Sequence, residues 1–211
     1  PYGKWLNSYL LHLKNLTVHN KASYLDQNQR DILYKVFGYT YEEFRTMLLP
    51  MARDGQEAVS AMGADTPLAA LSKQHHPLFD YFKQLFAQVT NPPIDAIREE
   101  IVTSTTVYVG AEGNLLEESA KNCKILKINN PILTSTDLLK IKHMKVDGFK
   151  VQTISILYYK NTSLAKAIDR LCLEADRAHK AGCNILILSD RGVDEHLVPI
   201  PSLLAISALQ Q

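Results

Sequence analysis

The stretch "VQTISILYYKNTSLAKAIDRLCLEADRAHKAGCNILILSD" (residues 151–190) decides the fold class of this chain. Its first nine residues, 151–159, are rich in β-branched and aromatic side chains, which predicts a strand. In residues 163–182 the apolar side chains recur at 3.6-residue spacing, which predicts a helix. The short apolar run at 184–190 is typical of a strand buried on both faces. This order predicts a parallel βαβ unit, and we therefore expect an α/β protein.

A polar cluster follows the second predicted strand, where ligands gather in parallel α/β sheets. Its members are Ser189, Asp190, Arg191, Asp194, Glu195 and His196. The cluster could form a catalytic or ligand-binding loop. Alternatively, Asp190 and Arg191 pair with each other and shape a sharp turn, which is the interpretation we favour. A Gly-x-Ser-x-Gly motif is absent from the sequence, so nucleophilic hydrolysis has no motif support.

The first half of the chain is predicted to be mainly helical. Thr40 and Glu43 form a T-x-x-E capping box, and Gly55 is the predicted end of that helix. Pro50 should kink or split it. A second helix should begin at Pro77, since proline suits the first helical position.

A stiff elbow, "TNPP" (residues 90–93), separates that second helix from another one predicted at about 93–102. Two adjacent prolines fix two φ angles and remove two backbone donors. Farther along, we expect a short strand, an irregular crossing and a small helix capped by Ser135 or Thr136. One domain would then contain a docking or linker arm (1–35), a mainly helical part (36–105) and an α/β part (106–211).

Composition excludes several classes of protein. The chain has 211 residues, is 46% hydrophobic and carries a net charge of +1 without a basic block, which argues against nucleic-acid and membrane-surface binding. No apolar run reaches the roughly 18 residues that a membrane span needs. Cys123, Cys172 and Cys183 lack CxxC spacing, so we interpret them as reduced thiols in the cytoplasm and expect no metal site.

The glycine-containing stretch and the two ends of the chain are also informative. The "GAEGN" stretch (110–114) matches neither phosphate-binding glycine motif. The first residue is not Met, and the last residues form an apolar, helix-like run without a stop signal. We therefore expect the chain to be a piece of a longer polypeptide.

Three segments resemble the central domain of the large subunit of glutamate synthases. They are "MGADTPLAALS" (62–72), "YFKQLFAQVTNPPIDAIREE" (81–100) and "LSDRGVDEHLVPIPSLLA" (188–205). The shorter motifs "PYGKWL" (1–6) and "GNLLEE" (113–118) fit the same family. The resemblance is collinear from end to end.

The resemblance implies a domain of a larger cytoplasmic enzyme, an NAD(P)H- or ferredoxin-dependent oxidoreductase. The parent enzyme makes L-glutamate from L-glutamine and 2-oxoglutarate, using FMN and an iron–sulfur cluster. The central domain links the amidotransferase and FMN domains of the same polypeptide, and an ammonia tunnel passes through it. Its implied fold is an incomplete, rudimentary TIM-barrel-like parallel sheet with a helical N-terminal region, which continues beyond residue 211. The fragment itself is expected to bind no cofactor and to be inactive alone.

By the same resemblance, Thr90, Asn91 and Ile94 belong to the ammonia tunnel, and Met62 faces the FMN and substrate side as a gate. No catalytic residue and no metal ligand is implied. The family more often has Asp-Glu-Asp-His where this chain has "DEH" at 194–196. Asp190, Arg191 and His196 therefore receive no role from the resemblance.

Two further interpretations stay open. The chain could be an independent flavin- or small-ligand-binding α/β domain that uses the loop at 189–196. It could also be a pure interaction module that docks through the apolar arm at 1–20. A ferredoxin or an electron-donor subunit would contact other domains of the parent enzyme.

Overall fold

A computed structural model describes residues 2–19, 22–56, 58, 69, 71–73, 76–82, 93–114 and 116–211. These residues form two compact units, one combining Pro1–Ala22 with Asp95–Gln211 and the other spanning Ser23–Ile94. Within the described ranges the fold is mixed α/β, which confirms the predicted class. The strands form small open sheets, so a barrel-like arrangement is not confirmed by them. The three-part division of the chain stays a prediction.

The regular elements of the described ranges have the following bounds. The α-helices are α1 (Tyr2–Tyr9), α2 (Gln27–Val36), α3 (Tyr41–Glu43), α4 (Leu49–Asp54), α5 (Ala96–Val102), α6 (Ser135–Lys142), α7 (Leu164–Lys180) and α8 (Ser202–Gln210). The strands are β1 (Leu11–His12), β2 (Val107–Val109), β3 (Leu126–Ile128), β4 (Val151–Ser155), β5 (Leu157–Tyr159), β6 (Ile185–Ser189) and β7 (Leu197–Pro199). Short 3₁₀ turns occupy Leu13–Asn15, Leu78–Phe82 and Ala120–Cys123, and a π-helical turn occupies Phe44–Leu48.

The predicted βαβ unit is confirmed as β4, α7 and β6. The two strands pair in parallel, from Val151 opposite Ile185 to Ser155 opposite Ser189. Helix α7 begins after Ser163, whose hydroxyl accepts the Lys166 N–H. Four residues, 181–184, then connect the end of the helix to β6.

Strand β6 separates two apolar clusters, as its predicted burial on both faces requires. Leu186 and Leu188 pack on the cluster centred on α7 and α8, which contains the fully buried Leu171. Ile185 and Ile187 belong to the second cluster, beneath the sheet that contains β3. Alternate side chains of a strand point to opposite faces, and here both faces are packed against protein.

The predicted single strand at 151–159 is wrong in one respect, because the chain changes partner at Ile156. Before that residue β4 pairs in parallel with β6, and after it β5 pairs antiparallel with β7. The Ile156 N–H donates to the Ser189 carbonyl and the Ile156 carbonyl accepts the Ile200 N–H, both at 2.9 Å. Composition alone marks extended backbone and cannot show that its two halves have different partners.

A three-stranded sheet in the order β1-β3-β2 includes part of the predicted docking arm. Strand β1 runs parallel to β3, with His12 opposite Lys127, and β2 runs antiparallel to β3. The arm also contains the short helix α1, which begins at Tyr2. Strands β1 and β3 are two and three residues long, too short for a periodicity to reveal them.

In the unit Ser23–Ile94 the predicted capping box is confirmed. The Glu43 N–H donates to Thr40 Oγ1 at 3.2 Å, and the Thr40 N–H donates to Glu43 Oε2 at 2.9 Å. The helix passes through the π-helical turn before Pro50, which has no N–H to donate. Gly55 ends it in the left-handed conformation at φ +62°, as predicted.

Three other helix starts differ from the prediction. Residues 78–82, after Pro77, form a 3₁₀ turn, and the rest of the predicted helix lies outside the described residues. Helix α5 starts at Ala96, later than the predicted Pro93, because Asp95 is its N-cap. Helix α6 is capped by Thr134, whose hydroxyl accepts the Asp137 N–H at 3.1 Å, and not by Ser135 or Thr136.

Candidate functional site

The elbow is the site that the sequence implies, and part of it can be placed. Thr90 and Asn91 lie outside the described residues, and so does Met62. Ile94 is half-buried. All four assignments stay predictions, since nothing in the described geometry tests them.

The chain that leaves the elbow enters α5 through a well-defined cap. The Asp95 carboxylate accepts the N–H groups of Ile97 at 3.0 Å and Arg98 at 2.9 Å. It thereby satisfies two of the donors that a helix start leaves unpaired. Ile97 and Ile101, one turn apart on α5, are 83% and 76% exposed.

The loop after β6 was the second candidate. The Arg191 N–H donates to Ser189 Oγ at 3.3 Å, and the N–H groups of His196 and Leu197 both donate to Asp194 Oδ1 at 2.7 Å. These two N–H groups hold the pKa of Asp194 below its usual value. The loop is therefore shaped by side chains that bind its own main chain.

The expected Asp190–Arg191 ion pair is not formed, and no ion pair of the described residues joins these two side chains. Ser189 and Asp194 provide the turn-forming contacts instead. His196 Nε2 lies 3.3 Å from Glu195 Oε1, with the two side chains 65% and 83% exposed. An imidazole and a carboxylate this open to water lack the desolvated setting that tunes catalytic groups.

The three cysteines do not converge, which bears on the iron–sulfur cluster implied for the parent enzyme. Cys172 Sγ lies 3.8 Å from the Ala208 carbonyl, and Cys183 Sγ lies 3.4 Å from Gln152 Oε1. Cys123 lies in a separate 3₁₀ turn. Such a cluster needs several thiolates around one point, so these cysteines do not fit it. The described part of the chain also holds no group of three His, Cys, Asp or Glu side chains suited to a metal ion.

A cleft that the sequence analysis missed lies where β1 and β3 end. We call it the lysine cleft. It has a volume of about 260 Å³ and is bounded by the turn Leu13–Asn15 and by α6. Its polar lining consists of His12, Lys14, Lys127, Asn129, Asn130, Asp137 and Lys140. These residues come from three separate parts of the sequence, so no motif could have pointed to them.

Comparison with known proteins identifies the family. The sequence model of the "Glutamate synthase central domain" matches residues 33–211. This chain belongs to the glutamate synthase central domain family. The match extends over most of the chain and confirms the resemblance carried by the three quoted segments.

Individual relatives agree with the family assignment. The chain is 42% identical to the "Glutamate synthase [NADPH] large chain" of Bacillus subtilis, over 100% of this chain and 14% of the relative. It is 44% identical to "Glutamate synthase [NADH]" of Schizosaccharomyces pombe, over 82% of this chain and 8% of that protein. It is 38% identical to "Ferredoxin-dependent glutamate synthase 2" of Synechocystis, over 99% of this chain and 14% of that protein.

The chain thus spans about one seventh or less of the length of these relatives. In each of these relatives, the matched segment is a small part of a large polypeptide. Within the described ranges, no helix has the length and apolar character that crossing a bilayer requires.

Proposed function

We propose that this chain is the central linking domain of a glutamate synthase. It holds the amidotransferase and FMN domains of the same polypeptide together and forms part of the ammonia tunnel between them. The observation that carries the proposal is the family match over residues 33–211, which contains the whole elbow. The parent enzyme, in the cytoplasm, would make L-glutamate from L-glutamine and 2-oxoglutarate, with FMN and an iron–sulfur cluster held by other domains.

The chemistry of the elbow supports a tunnel wall. Ammonia is a nucleophile only while it is unprotonated, so the wall should be polar without being ionisable. Thr90 and Asn91 offer hydrogen bonds without charge. Ile94 adds an apolar surface that excludes water. The two prolines hold the main chain stiff and donate no competing hydrogen bonds.

Met62 would face the FMN and substrate side of the domain. Its unbranched thioether side chain adapts to surfaces of different shape. A change in its rotamer when 2-oxoglutarate binds would open or close the tunnel exit, as loops and lids do in other enzymes.

The fold supports a linking role in two ways. The β4–α7–β6 unit is the building block of parallel α/β barrels, which favours an incomplete TIM-barrel-like sheet. The exposed Ile97 and Ile101 of α5 offer an apolar surface for contact with another domain.

Asn91→Asp in the full-length polypeptide tests the tunnel. A carboxylate in the wall would stabilise ammonium over ammonia, so we expect glutamine-dependent glutamate synthesis to fall at least about 10-fold. Glutamine hydrolysis should continue and release free ammonia, and synthesis from added ammonia should persist. Asn161→Asp, the same change in an exposed turn, is the matched control. Unchanged glutamine-dependent synthesis in Asn91→Asp would mean that the tunnel role is wrong.

A titration of the purified chain with FMN, followed by 2-oxoglutarate, separates the linking role from an independent flavin domain. We expect no saturable heat from either ligand. Saturable binding of FMN would favour the independent domain. The relatives are named for NADPH, NADH and ferredoxin in turn, so the electron donor of the parent enzyme is not a property of this domain.

A further inference from the structure

The lysine cleft has the position of a ligand site. Strands β1 and β3 are parallel, and their register ends at His12 opposite Lys127. The cleft opens just beyond these two residues, at the carboxyl ends of both strands. This is the edge at which parallel sheets of α/β proteins bind their ligands.

Charge in the cleft is unbalanced. Lys14, Lys127 and Lys140 face one carboxylate, Asp137. That carboxylate is already engaged, since its Oδ1 accepts from Lys140 Nζ at 3.0 Å and its Oδ2 accepts from the Thr134 hydroxyl at 2.7 Å. Lys14 and Lys127 have no ion-pair partner among the described residues.

Of the two lysines without an ion-pair partner, Lys127 is half-buried and Lys14 is exposed. Lys127 lies on β3, the central strand of its sheet. An anion in the cleft would supply the counter-charge that Lys127 lacks. Asn130 adds a neutral donor, because its Oδ1 accepts the Ile132 N–H at 2.9 Å and its amide nitrogen keeps both hydrogens.

The size of the cleft limits the ligand. A volume of about 260 Å³ lies below the roughly 300–1,000 Å³ of sites for larger organic ligands. Two unpaired lysines and one engaged Lys–Asp pair leave an excess of two positive charges. We propose that the lysine cleft binds a small dianionic oxyanion, either a phosphate group or a short dicarboxylate. This site is additional to the tunnel and does not depend on it.

The test measures anion binding to the full-length polypeptide at low ionic strength, using inorganic phosphate and succinate as separate probes. Lys127→Met removes the charge of the half-buried lysine, and we expect it to weaken binding of the preferred probe at least 10-fold. Lys142→Met is the matched control, because this exposed lysine lies on α6 with Lys140 but does not line the cleft. The control should bind within about two-fold of the parent protein.

The outcomes separate clearly. Phosphate binding that Lys127→Met abolishes identifies a phosphate site, and succinate binding with the same sensitivity identifies a dicarboxylate site. If neither probe saturates, or if both lysine variants lose the same affinity, the proposal is overturned. If Lys127→Met fails to fold, Lys14→Met removes the other unpaired positive charge of the cleft. We expect the same loss of affinity for the probe. This test reads out anion binding, whereas the tunnel test reads out glutamine-dependent glutamate synthesis, so failure here is distinguishable from failure of the tunnel.

Discussion

Arg170, on α7, donates a hydrogen bond of 2.8 Å from Nη2 to the carbonyl oxygen of Leu157. The same nitrogen lies 3.3 Å from the carbonyl of Ser155. One guanidinium therefore bridges the two sides of Ile156, where the chain leaves β4 and enters β5. The break between the two strands is stabilised from the helix that follows them.

Arg170→Met should destabilise the fold by about 1 kcal/mol. The substitution keeps an unbranched, apolar stem but leaves two carbonyls without a charged donor, and the value is modest because the side chain is 42% exposed. Lys166→Met, on an exposed position of the same helix, should change the free energy of unfolding by less than about 0.5 kcal/mol. Chemical denaturation compares the two. Equal effects would show that the bridge at Ile156 contributes nothing.

Leu171→Ala should cost about 3 kcal/mol. This side chain is completely buried on the inner face of α7, so its truncation removes apolar contacts and leaves a cavity. Leu173→Ala, two residues along the helix, removes the same atoms from a side chain that is 57% exposed and should cost less than about 0.5 kcal/mol. The difference in denaturation midpoint between the two variants measures how much the buried side chain stabilises the core. Similar midpoints would contradict the assigned inner face of α7.

Gly113→Ala should destabilise more than Gly182→Ala. Both glycines have positive φ, +74° and +87°, which costs an alanine about 1 kcal/mol. At Gly113 an added Cβ would also meet the amide of Asn122, whereas it would meet nothing within 4 Å at Gly182. The Asn122 amide donates to the carbonyls of Asn114 and Glu117 and cannot move without breaking those bonds. We expect the free energy of unfolding to fall by about 2 kcal/mol in Gly113→Ala and by about 1 kcal/mol in Gly182→Ala, measured by thermal unfolding. A larger loss at Gly182 would refute this packing.

The loop after β6 should loosen in acid. The N–H groups of His196 and Leu197 lower the folded-state pKa of Asp194. The carboxylate therefore stabilises the loop above the unfolded pKa of 3.8, and this contribution is lost as the pH falls through the lower, folded-state pKa. An NMR pH titration should show the amide shifts of His196 and Leu197 inflecting together below pH 3.8. Asp194→Asn should abolish that inflection. An inflection above pH 3.8 would contradict the geometry.

For the candidate site, the sequence predicts the family and the elbow. The family resemblance assigns tunnel or gating roles to Thr90, Asn91, Ile94 and Met62, and these roles stay predictions. The lysine cleft could not be predicted, because Lys14, Lys127 and Lys140 are brought together by the pairing of β1 with β3 and by the packing of α6. Likewise, the predicted pair of Asp190 and Arg191 is not formed, and the loop is held by Ser189 and Asp194.

The sequence by itself determined the α/β class, the βαβ unit, the family and the helix starts at Thr40 and Ser163. These features rest on periodicity, on motifs or on hydrogen bonds between residues three or four apart, so they can be predicted from short stretches of sequence. Only the tertiary structure decided where the run at 151–159 changes partner, that Leu11–His12 joins a sheet, and which lysines share a cleft. Those features depend on contacts between residues distant in sequence, and a two- or three-residue strand is stable only when such a partner lies beside it.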